Sequence, residues 1–295
     1  MTPYIEVLRP RQWTKNLILF APLVFSEKRL FFNLDAWIFS TLGFLVFCIL
    51  SGSVYLMNDL LDCEKDKLHP DKCKRPIPSG RLSKRKAIAI LVTTLPMAIF
   101  ASYLFSKAFF VSAILYFFLN VAYSFQLKNM VILDVLSIAL GFVFRAHGGV
   151  GVAQIVDPNL FVSHWLILCT FMLALFLGIA KRRGEIKLLK DDAGSHRKIL
   201  EEYSLHFIDD ITSIAGATTI MSYALYTVSK ETMDKFGSDK LICTLPFVIY
   251  GILRYLYLIH IHGKGDNPSE ILLSDRPLQV NLILWVLTSF FLIQM

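Results

Sequence analysis

Four oxygen-bearing side chains stand close together where a long apolar run of the chain ends: Asn58, Asp59, Asp62 and Asp66. The three aspartates are spaced i, i+3 and i+7, so on a continuing helix they share one face. Neighbouring carboxylates repel one another unless a cation lies between them, and Mg²⁺ prefers such oxygen ligands and is often shared with substrate phosphates. We therefore predict that the four residues bind Mg²⁺ and that the three aspartates are catalytic.

Basic residues follow this acidic cluster within the same polar segment, residues 59–86. Four of them carry the charge that a bound diphosphate requires: Lys72, Lys74, Arg75 and Arg81. Together with a metal held by the aspartates, they predict a site for a metal-bound diphosphate at a membrane surface. The alternative is a solvated acidic helix end whose charge is neutralised by Lys65 and Lys67.

A second polar segment, residues 181–210, opens with the basic stretch Lys-Arg-Arg. Arginine can hold a phosphate through two parallel hydrogen bonds, and lysine acts as a point charge. Lys181 and Arg182 are therefore candidates for holding a second phosphate group. The alternative is that this stretch anchors a transmembrane helix at the lipid headgroups.

Three further basic residues are candidates because of where they fall relative to the apolar runs. Arg145 lies inside one run, where an unpaired charge costs roughly 3 kcal/mol or more. It therefore needs a cavity, a substrate phosphate or a partner such as Asp134. Lys15 and Lys128 flank two other runs and could reach a phosphate; otherwise they extend to the lipid headgroups.

Helices that cross a membrane must position these side chains. The chain of 295 residues is 55% hydrophobic and 18% charged, whereas soluble domains average about 45–50% and about 25%. Nine stretches read as spans: residues 16–32, 36–58, 87–106, 108–127, 131–150, 158–180, 211–229, 241–259 and 277–295. About 20 apolar residues cross a bilayer as a helix, in which every backbone polar group is satisfied. The expected fold is an all-α polytopic bundle of nine transmembrane helices, in one domain over residues 1–295.

Basic residues divide unequally between the two sides of this bundle. Of the 30 Lys and Arg residues, 22 fall before the first run or in loops on that side, and 6 fall on the opposite side. The positive-inside rule then places the N-terminus and both polar segments in the cytoplasm and the C-terminus outside. The net charge of +7 suits anionic lipids or an anionic substrate, and nothing in the pattern indicates a nucleic-acid partner.

Several motifs resemble those of the UbiA-type prenyltransferase superfamily. The pattern Asn58-Asp59-x-x-Asp62-x-x-x-Asp66, followed by Lys-Arg-Pro-Ile-Pro-Ser-Gly at residues 74–80, is similar to its first aspartate-rich motif. Five further segments resemble the branch that transfers phosphoribosyl groups to polyprenyl phosphates: residues 8–16, 123–128, 141–149, 181–185 and 270–278. The resemblance therefore covers nearly the whole chain.

The resemblance implies an enzyme of the bacterial cytoplasmic membrane, with nine helices around a central cavity open to the cytoplasmic side and the bilayer. It implies Mg²⁺ as cofactor, 5-phosphoribosyl 1-diphosphate as donor and a polyprenyl phosphate as acceptor. The substrate-binding residues would be Lys15, Arg75, Tyr123, Lys128, Arg145, Lys181, Arg182 and Glu185. Among them, Lys181 and Arg182 would hold the 5-phosphate, and Lys15, Lys128 or Arg145 would receive the lipid phosphate.

The second polar segment departs from the superfamily pattern, and this affects which reaction is expected. Aromatic prenyltransferases of the superfamily usually carry a second Asp-x-x-x-Asp pair, whereas residues 181–185 here are mostly basic, and Asp191 and Asp192 lie farther on. Prenylation of an aromatic acceptor by a prenyl diphosphate is therefore the second hypothesis. A lipid transporter or lipid-binding protein without chemistry is the third, and metal-dependent turnover separates it from both enzymes.

Overall fold

The structure is a computed structural model that describes residues 2–26, 30–68, 71–191, 202–261, 271–272 and 274–294, without the side chains of 188–191 and 294. Residues 69–70 and 192–201 of the two polar segments, Asp192 among them, and residues 270 and 273 of the last motif lie outside this set. Every regular element of the described residues is helical. The predicted all-α class is confirmed.

Eight long helices account for most of the described chain. They are α1 (Leu34–Leu61), α2 (Lys84–Phe105), α3 (Lys107–Phe125), α4 (Leu133–Ala153), α5 (His164–Asp191), α6 (Leu205–Val228), α7 (Leu245–Ile261) and α8 (Arg276–Gln294). Of the described residues, seven helical stretches are long and apolar enough to cross a membrane, and α6 is not among them. The predicted integral membrane protein is confirmed, and the count of nine spans stays a prediction.

The first predicted span differs from the structure. Over the described part of residues 16–32 the chain forms the end of a 3₁₀ helix (Pro10–Phe20), a short α-helix (Ala21–Val24) and a second 3₁₀ turn (Leu30–Phe32). One continuous helix over 16–32 is therefore wrong for these residues. Pro22 has no backbone N–H to donate to a preceding turn, which interrupts the ladder of a long helix.

The chain divides into two compact units. The first unit comprises Met1–Ser26, Leu30–Lys128 and Gly141–Val162, and the second comprises Glu27–Arg29, Asn129–Leu140 and Ser163–Met295. Helix α4 contributes to both. Whether the units act as the single domain expected over residues 1–295 stays a prediction.

In the first unit, the N-terminal 3₁₀ helix packs closely against α4 and α1. Leu19 belongs to a buried apolar cluster with Phe47 of α1, Phe109 of α3 and Val152 of α4. A Cβ atom added to Gly149 of α4 would lie 2.8 Å from the Leu19 Cα atom. Since real Cβ atoms do not approach backbone so closely, glycine at this position permits the contact.

We expect Gly149→Ala to destabilise the protein by about 1–3 kcal/mol, because the added methyl group meets backbone that cannot rotate away. Thermal unfolding in detergent measures the effect. Gly178→Ala on α5 is the matched control, since its Cβ would lie 3.8 Å from the nearest atom, on Val135. There alanine should be neutral or stabilising by up to about 1 kcal/mol, and equal effects at both positions would contradict the close packing.

The second unit is built from the beginning of α4 and helices α5 to α8. Its apolar core includes Val135, Phe176, Ile208, Tyr255 and Ile259. Helix α5 carries the basic stretch predicted from the sequence between the core residues Ala180 and Ile186, with Arg182 buried at 2% exposure. A fully buried arginine requires partners, which the second unit supplies.

Candidate functional site

The predicted aspartate cluster lies where α1 ends. Asp59 is in the last turns of α1, with only 2% of its surface exposed. Its Oδ1 atom accepts hydrogen bonds from Arg9 and, at 3.0 Å, from Nη1 of Arg75. A buried carboxylate needs such charged donors because burial removes its water. Arg75, predicted as a substrate-binding residue, thus contacts the aspartate cluster directly.

Asp59 and Asp66 are brought together by the same guanidinium group. Nη1 of Arg75 also donates to Oδ2 of Asp66 at 2.6 Å, and Lys72 lies 3.9 Å from the other oxygen of Asp66. Helix α1 ends at Leu61, and a short helix, Cys63–Lys67, follows directly. This near-continuation places Asp59 and Asp66 on one face, as their spacing predicts.

Asp62 has a different partner. It caps the end of α1, and its carboxylate accepts from Nζ of Lys128 at 3.0 and 3.3 Å. Asn58, one turn earlier, accepts through Oδ1 from the Ser124 hydroxyl of α3. The end of α3 and the turn after it thus bind the end of α1, and they bring Lys128 to the cluster as a predicted phosphate ligand.

The donor atoms of this cluster fit Mg²⁺, which takes carboxylate and amide oxygens. Two carboxylates already converge on one cationic position, the Nη1 atom of Arg75. As they stand, however, no three acidic, His or Cys side chains of the described residues are grouped closely enough to hold a metal ion. Coordination by all three aspartates therefore requires rearrangement of side chains that now bind Arg75 and Lys128, and the magnesium assignment stays a prediction.

Several other charges of the first polar segment pair away from the aspartate cluster. Lys67 and Lys84 both donate to Glu64 at 2.8 Å, and the hydrogen bonds from Lys67 and then Lys84 lower the pKa of Glu64 to about 2. Arg81 binds Glu6 through two hydrogen bonds of 2.8 Å. The cations that contact the aspartates are Arg9, Arg75, Lys72 and Lys128, whereas Lys67, one of the two lysines of the alternative interpretation, contacts Glu64.

Arg145 of α4 is buried, with 5% of its surface exposed. It donates to neutral oxygens: Asn16 Oδ1 at 2.8 Å, Gly141 O at 2.9 Å and Tyr116 Oη at 2.9 Å. Its guanidinium carbon also lies 4.6 Å from the centre of the Tyr116 ring, a favourable cation–π distance. The need for partners inside a span is confirmed, but the partner suggested for it, Asp134, is bound elsewhere.

Asp134 binds Arg182 in the second unit. Both side chains are almost fully buried, and Nε of Arg182 donates to Oδ2 of Asp134 at 2.7 Å. Nη1 of Arg182 donates to Glu185 at 2.5 Å, and Nζ of Lys181 lies 3.7 Å from the same carboxylate. Lys181 is the more accessible of the two predicted phosphate ligands, since its side chain is 44% exposed against 2% for Arg182.

Tyr203 completes this buried ion pair. Its hydroxyl donates to Oδ1 of Asp134 at 3.0 Å and accepts from the backbone N–H of Ile132 at 2.6 Å. Ile132 has a φ of 69°, which is rare for a β-branched residue. Burial raises the pKa of Tyr203 to about 12, so its hydroxyl keeps the proton that it donates to Asp134.

Two predicted site residues are partly buried, and three residues that contact the site were not predicted from the sequence. Lys15 and Tyr123 are half-buried. Arg9, Asn16 and Tyr116 were not predicted as site residues, although they contact Asp59 or Arg145. Arg9 belongs to residues 8–16, which resemble the family, but within that segment the resemblance assigns a role to Lys15, and no local pattern distinguishes Arg9 from Arg11.

Comparison with curated proteins identifies relatives that match nearly the whole chain. A decaprenyl-phosphate phosphoribosyltransferase of Corynebacterium glutamicum is 34% identical, over 96% of this chain and 84% of the relative. Proteins of the same name from Mycolicibacterium smegmatis and Mycobacterium tuberculosis are 31% and 28% identical, each over 96% of this chain and over 89% and 92% of their own length.

Solved structures share the fold. A UbiA homolog from Archaeoglobus fulgidus, bound to GPP and Mg²⁺, superimposes with a TM-score of 0.72 at 20% identity, covering 99% of this chain and all of that one. The UbiA prenyltransferase family matches residues 17–270, a range that includes the aspartate cluster, α1 to α7 and the buried Asp134–Arg182 pair. This chain therefore belongs to the UbiA prenyltransferase family and is a membrane-bound transferase.

Proposed function

We propose that the protein transfers the 5-phosphoribosyl group of 5-phosphoribosyl 1-diphosphate to a polyprenyl phosphate and releases diphosphate. The named relatives and the geometry of the aspartate cluster both support this proposal. Relatives named for this type of transfer match 96% of the chain. The observation that carries the proposal is the cluster at the end of α1, where buried Asp59 and Asp66 share Arg75 and further cations adjoin them.

The metal site of the proposal consists of Asn58, Asp59, Asp62 and Asp66. Their oxygens are the ligand type that Mg²⁺ prefers, and a structural neighbour of the same fold contains Mg²⁺ with a prenyl diphosphate. When bound, Mg²⁺ would stabilise the negative charge that develops on the leaving diphosphate. Two of the proposed ligands are held in place by neighbouring side chains: Lys128 binds Asp62, and Ser124 binds Asn58.

Phosphate groups of the substrates would be held by basic side chains. Arg75 adjoins the metal site and is assigned to the diphosphate. Lys181 and Arg182, with Glu185 orienting them, are assigned to the 5-phosphate; Lys181 is the more exposed of the two bases. The phosphate of the lipid would be received by Lys15, Lys128 or Arg145, and Tyr123 is a further substrate-binding residue.

The transfer itself would be a displacement at C1 of the ribose. A phosphate oxygen of the lipid bonds to C1 while the bond from C1 to the diphosphate oxygen breaks, and the electron pair leaves with diphosphate. The attacking phosphate is already ionised, so the step needs no general base. Holding the two anions in line, with their charges compensated by the basic residues, supplies the rate enhancement.

The product is a polyprenyl-phospho-ribose 5-phosphate, a lipid-linked sugar precursor. The proposal places the protein in a bacterial cytoplasmic membrane, with nine spans around a central cavity, the N-terminus in the cytoplasm and the C-terminus outside. The excess of Lys and Arg on one side of the predicted spans supports this orientation. Cysteine substitutions labelled from either side of the membrane would test it.

Turnover by the purified protein in detergent tests the proposed function. With 5-phosphoribosyl 1-diphosphate, a polyprenyl phosphate and Mg²⁺, we expect a phosphoribosylated lipid by mass spectrometry and none after addition of a chelator. Prenylation of an aromatic acid from a prenyl diphosphate, with no phosphoribosyl transfer, would contradict the proposal in favour of the aromatic prenyltransferase. Lipid binding without any turnover would favour a transporter or lipid-binding protein.

A further inference from the structure

We propose that Arg9 is a diphosphate-binding residue that the N-terminal segment contributes to the aspartate cluster. The inference rests on the proposed diphosphate site and adds to it a residue that neither the motifs nor the comparisons assign. Arg9 precedes the 3₁₀ helix Pro10–Phe20. Its guanidinium binds Asp59 from one side while Arg75 binds the same oxygen, Oδ1, through its own Nη1 atom.

The position of the Arg9 guanidinium suits an anion-binding role. It contacts Asp59 through Nη2, and its carbon lies 4.9 Å from the centre of the Tyr55 ring. The side chain is 25% exposed, whereas that of Asp59 is 3% exposed. A guanidinium has five N–H donors in a fixed fork, so one contact with Asp59 leaves donors that a phosphate oxygen can use.

The backbone of Arg9 is held in an unfavourable conformation. Its φ and ψ are 52° and 62°, in the left-handed region, which residues with a side chain rarely adopt. Hydrogen bonds hold it there: Arg9 N donates to Glu6 O at 3.0 Å, and Gln12 N donates to Arg9 O at 2.8 Å. Such strained residues cluster at functional sites, where the surrounding structure imposes the conformation.

A buried anchor fixes where this segment lies along α1. Asn16, with no exposed surface, donates to Ser51 Oγ at 3.1 Å and accepts from Arg145 Nε at 2.8 Å. Leu8, next to Arg9, also lies against α1, since a Cβ atom added to Gly52 would be 3.0 Å from the Leu8 carbonyl oxygen. From there the Arg9 side chain passes the Tyr55 ring and reaches Asp59, so the contacts at Gly52 and Ser51 fix where the segment meets α1.

Charge at the cluster supports an anionic ligand. Four cationic side chains, Arg9, Lys72, Arg75 and Lys128, face three carboxylates, Asp59, Asp62 and Asp66. The cations therefore outnumber the carboxylates by one, and a divalent cation bound there would make the net positive charge of the cluster larger. An anion of the charge of diphosphate offsets that surplus, and Arg9 is placed to contact it because it adjoins Asp59, a proposed metal ligand.

The test compares Arg9→Gln with Arg11→Gln in the full-length protein, measuring binding of Mg²⁺ alone and of inorganic diphosphate with Mg²⁺. Arg11, two residues along, is exposed and is the matched control for loss of one positive charge. We expect Arg9→Gln to weaken diphosphate binding about tenfold to a hundredfold, as for a lost hydrogen bond between charged groups. Binding of Mg²⁺ alone should be unchanged or tighter, since a cation has left the neighbourhood of Asp59.

Three outcomes would overturn the proposal, and two would support it. Parallel weakening of Mg²⁺ and diphosphate binding would overturn it, because Arg9 would then only hold Asp59 in place. An equal loss for Arg11→Gln, or native diphosphate affinity for Arg9→Gln, would overturn it too. In support, Arg9→Lys should restore part of the affinity, and Asn16→Ala should lower the effect of Arg9→Gln in a double-mutant cycle.

Failure of this inference can be told apart from failure of the proposed function. Inorganic diphosphate is the probe, so the result does not depend on which group the protein transfers. The proposed function fails if the unaltered protein makes no phosphoribosylated lipid. The role of Arg9 fails if the unaltered protein binds diphosphate and Arg9→Gln binds it equally well.

Discussion

Asp59→Asn is expected to lower turnover at least about a hundredfold while the protein remains folded. The carboxylate of Asp59 is the most buried member of the predicted metal site and joins Arg9 and Arg75. An amide of the same shape removes the charge that would hold both the metal and these arginines. Stabilisation of a leaving group by a metal contributes several kcal/mol, and each 1.4 kcal/mol is about a factor of ten in rate.

Turnover measured by mass spectrometry, with a titration of Mg²⁺, tests this expectation. Asp71→Asn is the matched control, since Asp71 lies in the same polar segment, its side chain is 83% exposed, and it pairs with Lys74 at 3.2 Å. The control should keep near-native turnover and the same Mg²⁺ dependence. Native turnover by Asp59→Asn would show that the carboxylate of Asp59 has no part in the reaction, contrary to the proposal.

Arg182→Met is expected to destabilise the protein by about 3–5 kcal/mol, the cost of leaving one member of a buried ion pair without its partner. Asp134 has no exposed surface, and its carboxylate is held by Arg182 at 2.7 Å and Tyr203 at 3.0 Å. Water cannot replace the lost guanidinium at such a site. Thermal unfolding in detergent measures the loss.

Two comparison variants separate structural and substrate-binding roles for this basic stretch. The double variant Arg182→Met with Asp134→Leu should recover most of the stability, because no unpaired charge then remains buried. Lys181→Met should leave stability nearly unchanged, since the side chain is 44% exposed, and it should raise the KM for the donor if Lys181 holds the 5-phosphate. Native stability with a raised donor KM for Arg182→Met would instead assign Arg182 to substrate binding.

Local sequence was sufficient for the class of the protein and for the location of its acidic cluster. Long apolar runs require helices in a membrane because the backbone has no other partners there, and the structure contains helices over most of those runs. Asp59 and Asp66 share a face because they are seven residues apart near a helix end, and one arginine bridges them. Local motifs also indicated the superfamily, which the family match confirms.

Local rules failed where a proline interrupts an apolar run. Residues 16–32 read as a helix because they are apolar, yet the described part forms a 3₁₀ segment and a short α-helix. Asn16 within it is fully buried against Ser51 and Arg145. The side-chain contacts that stabilise this irregular segment come from distant parts of the chain, so no pattern within the run could reveal it.

The tertiary structure alone decided which basic side chain meets which carboxylate. Arg9 reaches Asp59 across 50 positions of sequence, and Arg182 reaches Asp134 across 48, while Arg145 takes neutral partners although Asp134 lies on the same helix, α4. Coulomb attraction between charges does not depend on their order along the chain. Helix packing determines the pairs that come into contact, and for a buried charge the contact decides between a structural ion pair and a ligand site. Sequence spacing therefore determined which residues can do chemistry, and packing determined which of them already form ion pairs or hydrogen bonds within the protein.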